Sequence, residues 1–143
     1  QGPGDVAPRA VDLTVDHKPM DPVERDRIVK SNGRVERLVD EMGEEMGPHR
    51  VWLQSAWIPG LAMSRALGDV LAHQVGVSSE PEVSVTELDL THKFIILASD
   101  GVWEFITSQE AVDIVAQSPT VDDGCRALVD EAHQRWLTEE DGV

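Results

Sequence analysis

The 143-residue chain has a single cysteine, Cys125. One thiol cannot close an intrachain disulfide, and a secreted domain of this size usually carries several. Cys125 therefore reads as a reduced interior thiol, and the expected compartment is intracellular, cytoplasmic or nuclear. Basic residues are scarce too, with 12 Lys and Arg against 27 Asp and Glu and a net charge of −15. That balance repels phosphate backbones and anionic lipid, and no cluster of Lys and Arg offsets it, so neither nucleic acid nor a membrane is an expected partner. Aromatic residues make up 4% of the chain. Trp52, Trp57, Trp103 and Trp136 read as packing residues, because a base-stacking platform needs a positive groove beside it. Long apolar runs are also missing. The longest, Phe94 to Ala98, has five residues, against roughly 18 or more for a bilayer span. No basic-then-apolar leader opens the chain, and no internal repeat or low-complexity tract interrupts it.

What remains is 41% apolar, enough for one buried core that hides about 68–70% of the unfolded surface. The charge is uneven. Residues 1–50 hold 8 basic and 11 acidic groups, net −3, and residues 51–143 hold 4 and 16, net −12. Such an excess of carboxylates ordinarily faces solvent; hard-cation ligation is its less common use.

Gln1 to Arg9, with two glycines and two prolines, reads as a loop. Val11, Leu13 and Val15 alternate with polar residues and predict a half-buried strand over Ala10–Val15, closed by Asp16-His17-Lys18-Pro19. Asp21 as N-cap with Pro22 at the first helical position predicts a helix with Val23, Ile28 and Val29 inward, and Asn32-Gly33 ends it. Arg34–Val39 and His49–Leu53 are strand candidates. Met42–Gly60, rich in Gly and Pro, is expected to behave as a mobile flap with few buried apolar side chains. Gly60–Val70 suggests a short helix ended by Gly68-Asp69. Glu82–Leu88 and Lys93–Ser99, joined by Asp-Leu-Thr-His, predict an antiparallel hairpin. Thr107 with Glu110 forms a capping box for a helix through Ala116, and Thr120 caps a last helix whose stripe is Leu128, Val129, Ala132 and Trp136. Strands early and helices late predict an α+β fold, not βαβ units.

Two carboxylates stand at predicted strand ends. Ile95 to Glu104 delivers Asp100 after an apolar strand, with Gly101 allowing a close turn; Asp16 precedes His17-Lys18-Pro19. Each is a candidate metal ligand, and each also fits a plain turn, which Asp-Gly favours by itself. Arg65 and Asp69 are placed to pair across their own turn.

Taken in order, Asp16-His17-Lys18-Pro19, Glu24 with Arg27, Asn32-Gly33-Arg34-Val35, Pro59 to Asp69, Glu80-Pro81-Glu82-Val83 and Ala98 to Glu104 closely resemble the protein phosphatase 2C family of metal-dependent serine/threonine phosphatases. The resemblance runs from Ala10 to Trp136. It implies part of a β-sandwich of antiparallel sheets flanked by helices, and hydrolysis of phosphoserine or phosphothreonine in proteins by a hydroxide activated between two magnesium or manganese ions, with a third ion in some members. Asp100 matches the family's Ser-Asp-Gly ligand and is the candidate catalytic and metal residue; Asp16 matches a ligand of the additional ion, and Glu104 a water-linked neighbour. Hard cations suit such an oxygen-donor site.

Two family motifs occur nowhere in the sequence: the Arg-x-x-Met-Glu-Asp-type segment with its phosphate-binding arginine, and Asp-Gly-His-Gly-Gly with the bridging aspartate. Asp141 stands a few residues before the place of a further ligand. Residues 1–143 are thus expected to be the carboxy-terminal portion of a phosphatase 2C-like catalytic domain without an internal boundary, inactive alone. The missing amino-terminal portion, on another chain or removed, and a phosphoprotein substrate are the expected partners. The alternative is a catalytically inactive phosphatase-like module acting in protein–protein interaction.

Overall fold

A computed structural model describes residues 7–140. Asp141 and the start of the Gln1–Arg9 loop lie outside them. The chain divides into two compact units, Thr14–Ser84 and the described parts of Gln1–Leu13 with Val85–Val143.

In the first unit, Pro22 pre-sets the helical φ and starts α1, Pro22–Lys30. Asp21 precedes it, but its carboxylate accepts from the Lys18 backbone N–H at 3.0 Å instead of capping α1. Ile28 is fully buried as expected, whereas Val23 and Val29 are exposed and Glu24 takes an inward position, 3% exposed. The left-handed turn falls on Asn32, φ 62°.

Three antiparallel strands follow: β1, Gly33–Val39, β2, Glu45–Leu53, and β3, Ala56–Leu61, in the order β1-β2-β3. Val35 lies opposite Val51, so two β-branched residues meet on the core face. Full burial of such a side chain is worth about 1.5–3 kcal/mol. Val35 and Val51 join Ile28, Ala72, Val75 and Val77 in one core. The region expected as a sparsely packed flap is therefore partly core, since Val51 and Trp52 are buried within it. The β3 strand had no clear alternation to announce it. Gly60 bends it at φ 75°, where a Cβ would come within 2.7 Å of the Trp52 ring. The short helix expected before Gly68-Asp69 comes after it instead, as α2, Val70–His73, entered through the left-handed Asp69, φ 43°.

In the second unit, α3, Asp100–Trp103, leads to α4, Ser108–Ala116, and α5, Val121–Glu140. The Thr107–Glu110 capping box is complete, with both the hydroxyl and the carboxylate reaching the other residue's backbone. Thr120 accepts from the Asp123 backbone N–H at 3.2 Å. Ile106, Ala111, Leu128 and Ala132 form this unit's core, with Ile96, Val102, Ile114 and Val115 against it. Val129, expected in the stripe, is exposed, and so is Cys125, which corrects the reading of an interior thiol.

Neither strand of the expected Glu82–Ser99 hairpin pairs. The Asp89–His92 turn forms, held by Thr91 N–H and hydroxyl on the Asp89 carboxylate, but the flanking segments carry no ladder among the described residues. Val85 and Leu97 are each 91% exposed. A two-stranded ribbon with no sheet to lie on is marginal in water. Ala10–Val15 likewise forms no strand; its first part runs along the start of α4, where Gln109 bonds the Pro8 carbonyl and the Ala10 N–H. The α+β class holds, with one antiparallel sheet and helices.

Candidate functional site

The two candidate ligands belong to different units, and each is placed by its own surroundings. Asp16 is exposed, and its carboxylate lies 3.2 Å from Lys18 Nζ, itself exposed. The backbone beside it is firmly held. Pro19 is fully buried. The His17 carbonyl accepts from Ser64 N–H at 3.0 Å, and the His17 imidazole lies 3.0 Å from the Glu82 carboxylate.

Ser64 leads to the best-connected polar group among the described residues. The Glu24 carboxylate accepts from both terminal nitrogens of Arg27, at 2.9 and 2.8 Å, from Arg65 Nη2 at 2.8 Å and from the Ser64 hydroxyl at 2.6 Å. Arg27 also donates to the Gly76 and Ser64 carbonyls, and Arg65 to the Glu80 carbonyl. A buried carboxylate is tolerated only when its lone pairs are filled and its charge is opposed. Both conditions hold here. Hydrogen bonds from Arg27 and then Arg65 keep the Glu24 carboxyl well below the usual carboxylate range against the opposing effect of burial. The cluster ties α1 to the Ser64-Arg65 turn and, through Gly76 and Glu80, to the end of the unit. The expected Arg65–Asp69 pair does not form, because the partner of Arg65 is Glu24, far away in sequence. The spacing of Glu24 and Arg27, one helical turn apart, was the only local sign of this arrangement.

Asp100 is the first residue of α3 and is exposed. Among the described residues its carboxylate receives no hydrogen bond, while the backbone around it is gripped from three sides. Trp103 Nε1 donates to the Ala98 carbonyl at 2.9 Å, Trp136 Nε1 to the Gly101 carbonyl at 2.8 Å, and Arg135 Nη1 to the Phe105 carbonyl at 2.6 Å. Arg135 is held in turn by Glu131 at 2.7 Å and Glu110 at 2.9 Å. The Glu110 carboxyl is drawn down to about 2, first by the Thr107 hydroxyl and backbone N–H and then by Arg135. Glu104 is exposed.

Asp16 and Asp100 suit a hard divalent cation in donor type: each is an accessible carboxylate with no buried partner to displace. They do not suffice in number. Among the described residues no group of three or more His, Cys, Asp or Glu comes together to hold an ion. No helix among them is long and apolar enough to cross a membrane. Of the tryptophans read as packing, Trp52 is buried, whereas Trp57 is 53% exposed under the Arg34 guanidinium, 4.6 Å from its ring centre.

The family model described as Protein phosphatase 2C matches residues 4–140. Probable protein phosphatase 2C 48 of Oryza sativa subsp. japonica is 46% identical over 134 residues, 94% of this chain and 37% of that protein. Probable protein phosphatase 2C 34 of Arabidopsis thaliana is 45% identical, again over 94% of this chain and over 36% of its own length. In three dimensions the chain is similar to serine-threonine phosphatase 2C from Toxoplasma gondii, with a TM-score of 0.76 and 28% identity, over 90% of this chain and 42% of that one. The chain thus spans little more than a third of the length of these two curated relatives.

Proposed function

The chain belongs to the protein phosphatase 2C family, and on that premise we propose that it supplies part of the site of a magnesium- or manganese-dependent protein serine/threonine phosphatase. The substrate class is a phosphoprotein carrying phosphoserine or phosphothreonine. Asp100 holds a catalytic ion and Asp16 contributes to an additional one. Once bound, the ions supply an acidified water as nucleophile and neutralise charge on the phosphoryl oxygens, which so slow an uncatalysed reaction needs.

The observation that carries this reading is Asp100 itself: an exposed carboxylate, free of hydrogen bonds among the described residues, on a turn whose neighbouring carbonyls are all tied down. With its backbone held in place before the ion arrives, such a ligand has only its side-chain freedom to lose on binding. The remaining contributions come from sequence outside this chain. Arg27 and Arg65 are both engaged with Glu24 and backbone carbonyls, so neither is free to clamp a phosphate. The exposed apolar side chains of Val83, Val85, Leu88 and Leu97 fit strands completed by the rest of a catalytic domain, since relatives of this family are far longer. The setting we propose is a reducing, intracellular one.

The test is metal-dependent hydrolysis of a phosphothreonine peptide by the complete gene product, with Asp100→Asn alongside. We expect chelator-sensitive turnover, reduced by Asp100→Asn by more than the roughly 10- to 100-fold that outer-sphere partners cost. Full activity of the variant would overturn the role of Asp100. Absence of both turnover and metal binding in the intact protein would favour the inactive, protein-binding module.

A further inference from the structure

We propose that Trp136 is a positioning residue for Asp100: its indole N–H, by holding the Gly101 carbonyl, fixes the backbone turn from which the Asp100 carboxylate projects and so strengthens divalent-metal binding there. This rests on the reading of Asp100 as a metal ligand. Gly101 directly follows Asp100, so a donor 2.8 Å from its carbonyl oxygen holds the peptide plane that adjoins the Asp100–Gly101 peptide at the Gly101 Cα. Trp103 holds the Ala98 carbonyl on the other side, and the two indoles bracket the carboxylate along the chain. The backbone that carries Asp100 cannot shift without breaking one of these bonds.

Burial alone does not account for the Trp136 bond. A buried indole must find a partner for its N–H, but Trp136 is only half-buried and water could serve it. Its position is instead fixed from behind. The ring packs edge-on against Phe105, with centroids 4.8 Å apart at 77°. The preceding residue, Arg135, bonds the Phe105 carbonyl while held by Glu131 and Glu110. Glu110 is also the carboxylate of the α4 capping box. A continuous set of contacts therefore runs from the start of α4 through α5 to the Asp100 turn. Gly101 adds no side chain that could hold this turn by itself.

The experiment uses the complete gene product with Trp136 replaced by 3-benzothienylalanine, which keeps the bicyclic ring and lacks the N–H, and in parallel Trp136→Phe and Asp100→Asn. Mn²⁺ is the probe, with its affinity measured by calorimetry and its activation constant by turnover; unfolding of the metal-free proteins serves as the control. The benzothienyl variant should bind Mn²⁺ about two- to tenfold more weakly, the worth of one neutral hydrogen bond. Because the bond is also made without the ion, the metal-free unfolding midpoint should fall modestly too, with a cooperative transition retained, and saturating Mn²⁺ should overcome the loss of affinity. Unchanged Mn²⁺ affinity in the benzothienyl variant, with a clear loss in Asp100→Asn, would overturn the role of Trp136 and leave that of Asp100 standing. Unchanged affinity in both would overturn the metal reading of Asp100 and this inference with it.

Discussion

The two units of the chain turn similar sequence signals into different amounts of structure. In Thr14–Ser84, apolar alternation becomes a paired sheet, and the one buried carboxylate has every partner it needs. In the other unit, an apolar run as continuous as Phe94–Ala98 remains unpaired, and order comes from α4 and α5. The contrast separates signals that act locally from signals that need a neighbour. A capping box or a helical stripe is satisfied within one or two turns. A strand has backbone groups to pair and a face to cover, and neither is met from its own residues.

The largest effect should come from the polar centre of the paired unit. Glu24→Ala leaves Arg27 and Arg65 facing each other without their common anion and should destabilise the Thr14–Ser84 unit by about 3–5 kcal/mol, read from denaturant unfolding. A change below about 1 kcal/mol would show that the cluster is not what joins α1 to the Ser64-Arg65 turn. The same group sets a pH dependence. Its carboxyl is held down in the folded state, so the unfolded chain binds the proton more readily as pH falls, and the stability it contributes is present above the ordinary carboxylate range and lost below it. Acidification from pH 7 to 3 should therefore lower the unfolding midpoint of the parent more than that of Glu24→Gln. Equal slopes would contradict the assignment.

A smaller effect is expected in the helical unit. Thr107→Ala removes the α4 cap and should cost about 1 kcal/mol, measured by the same unfolding curves. Smallest of all, Leu97→Ser in the chain alone should change stability by no more than about 0.5 kcal/mol, because Leu97 has no neighbours to lose. In a complete domain the same change should cost roughly 2 kcal/mol or more. A large cost in the isolated chain would break the comparison between the units.

How much was legible follows the same division. Pro22, Asn32, the Thr107–Glu110 box and Thr120 act within a few residues, and each stands where its chemistry indicated. Asp100 was singled out by its place after an apolar run followed by Gly, although that run forms no ladder here. What spacing could not reveal was long-range partnership. Glu24 meets Arg65 across 41 residues, and Trp136 meets Gly101 across 35; in sequence Glu24 stood only beside Arg27, and Trp136 read as a stripe residue. The third strand stayed hidden because Ala56–Leu61 contains Pro59 and Gly60, which ordinarily argue against a strand and here mark its bend against Trp52.

The most direct test of the claim that this chain is part of a larger catalytic fold is amide hydrogen exchange over residues 83–99, measured in the isolated chain and in the same residues joined to the amino-terminal portion of a protein phosphatase 2C domain. Rapid exchange is expected across this segment in the isolated chain, beside protected amides in β1, β2 and α5, with strong protection once the rest of the domain is present. Equal protection in both would mean that the segment folds without a partner and would contradict its place in a larger fold.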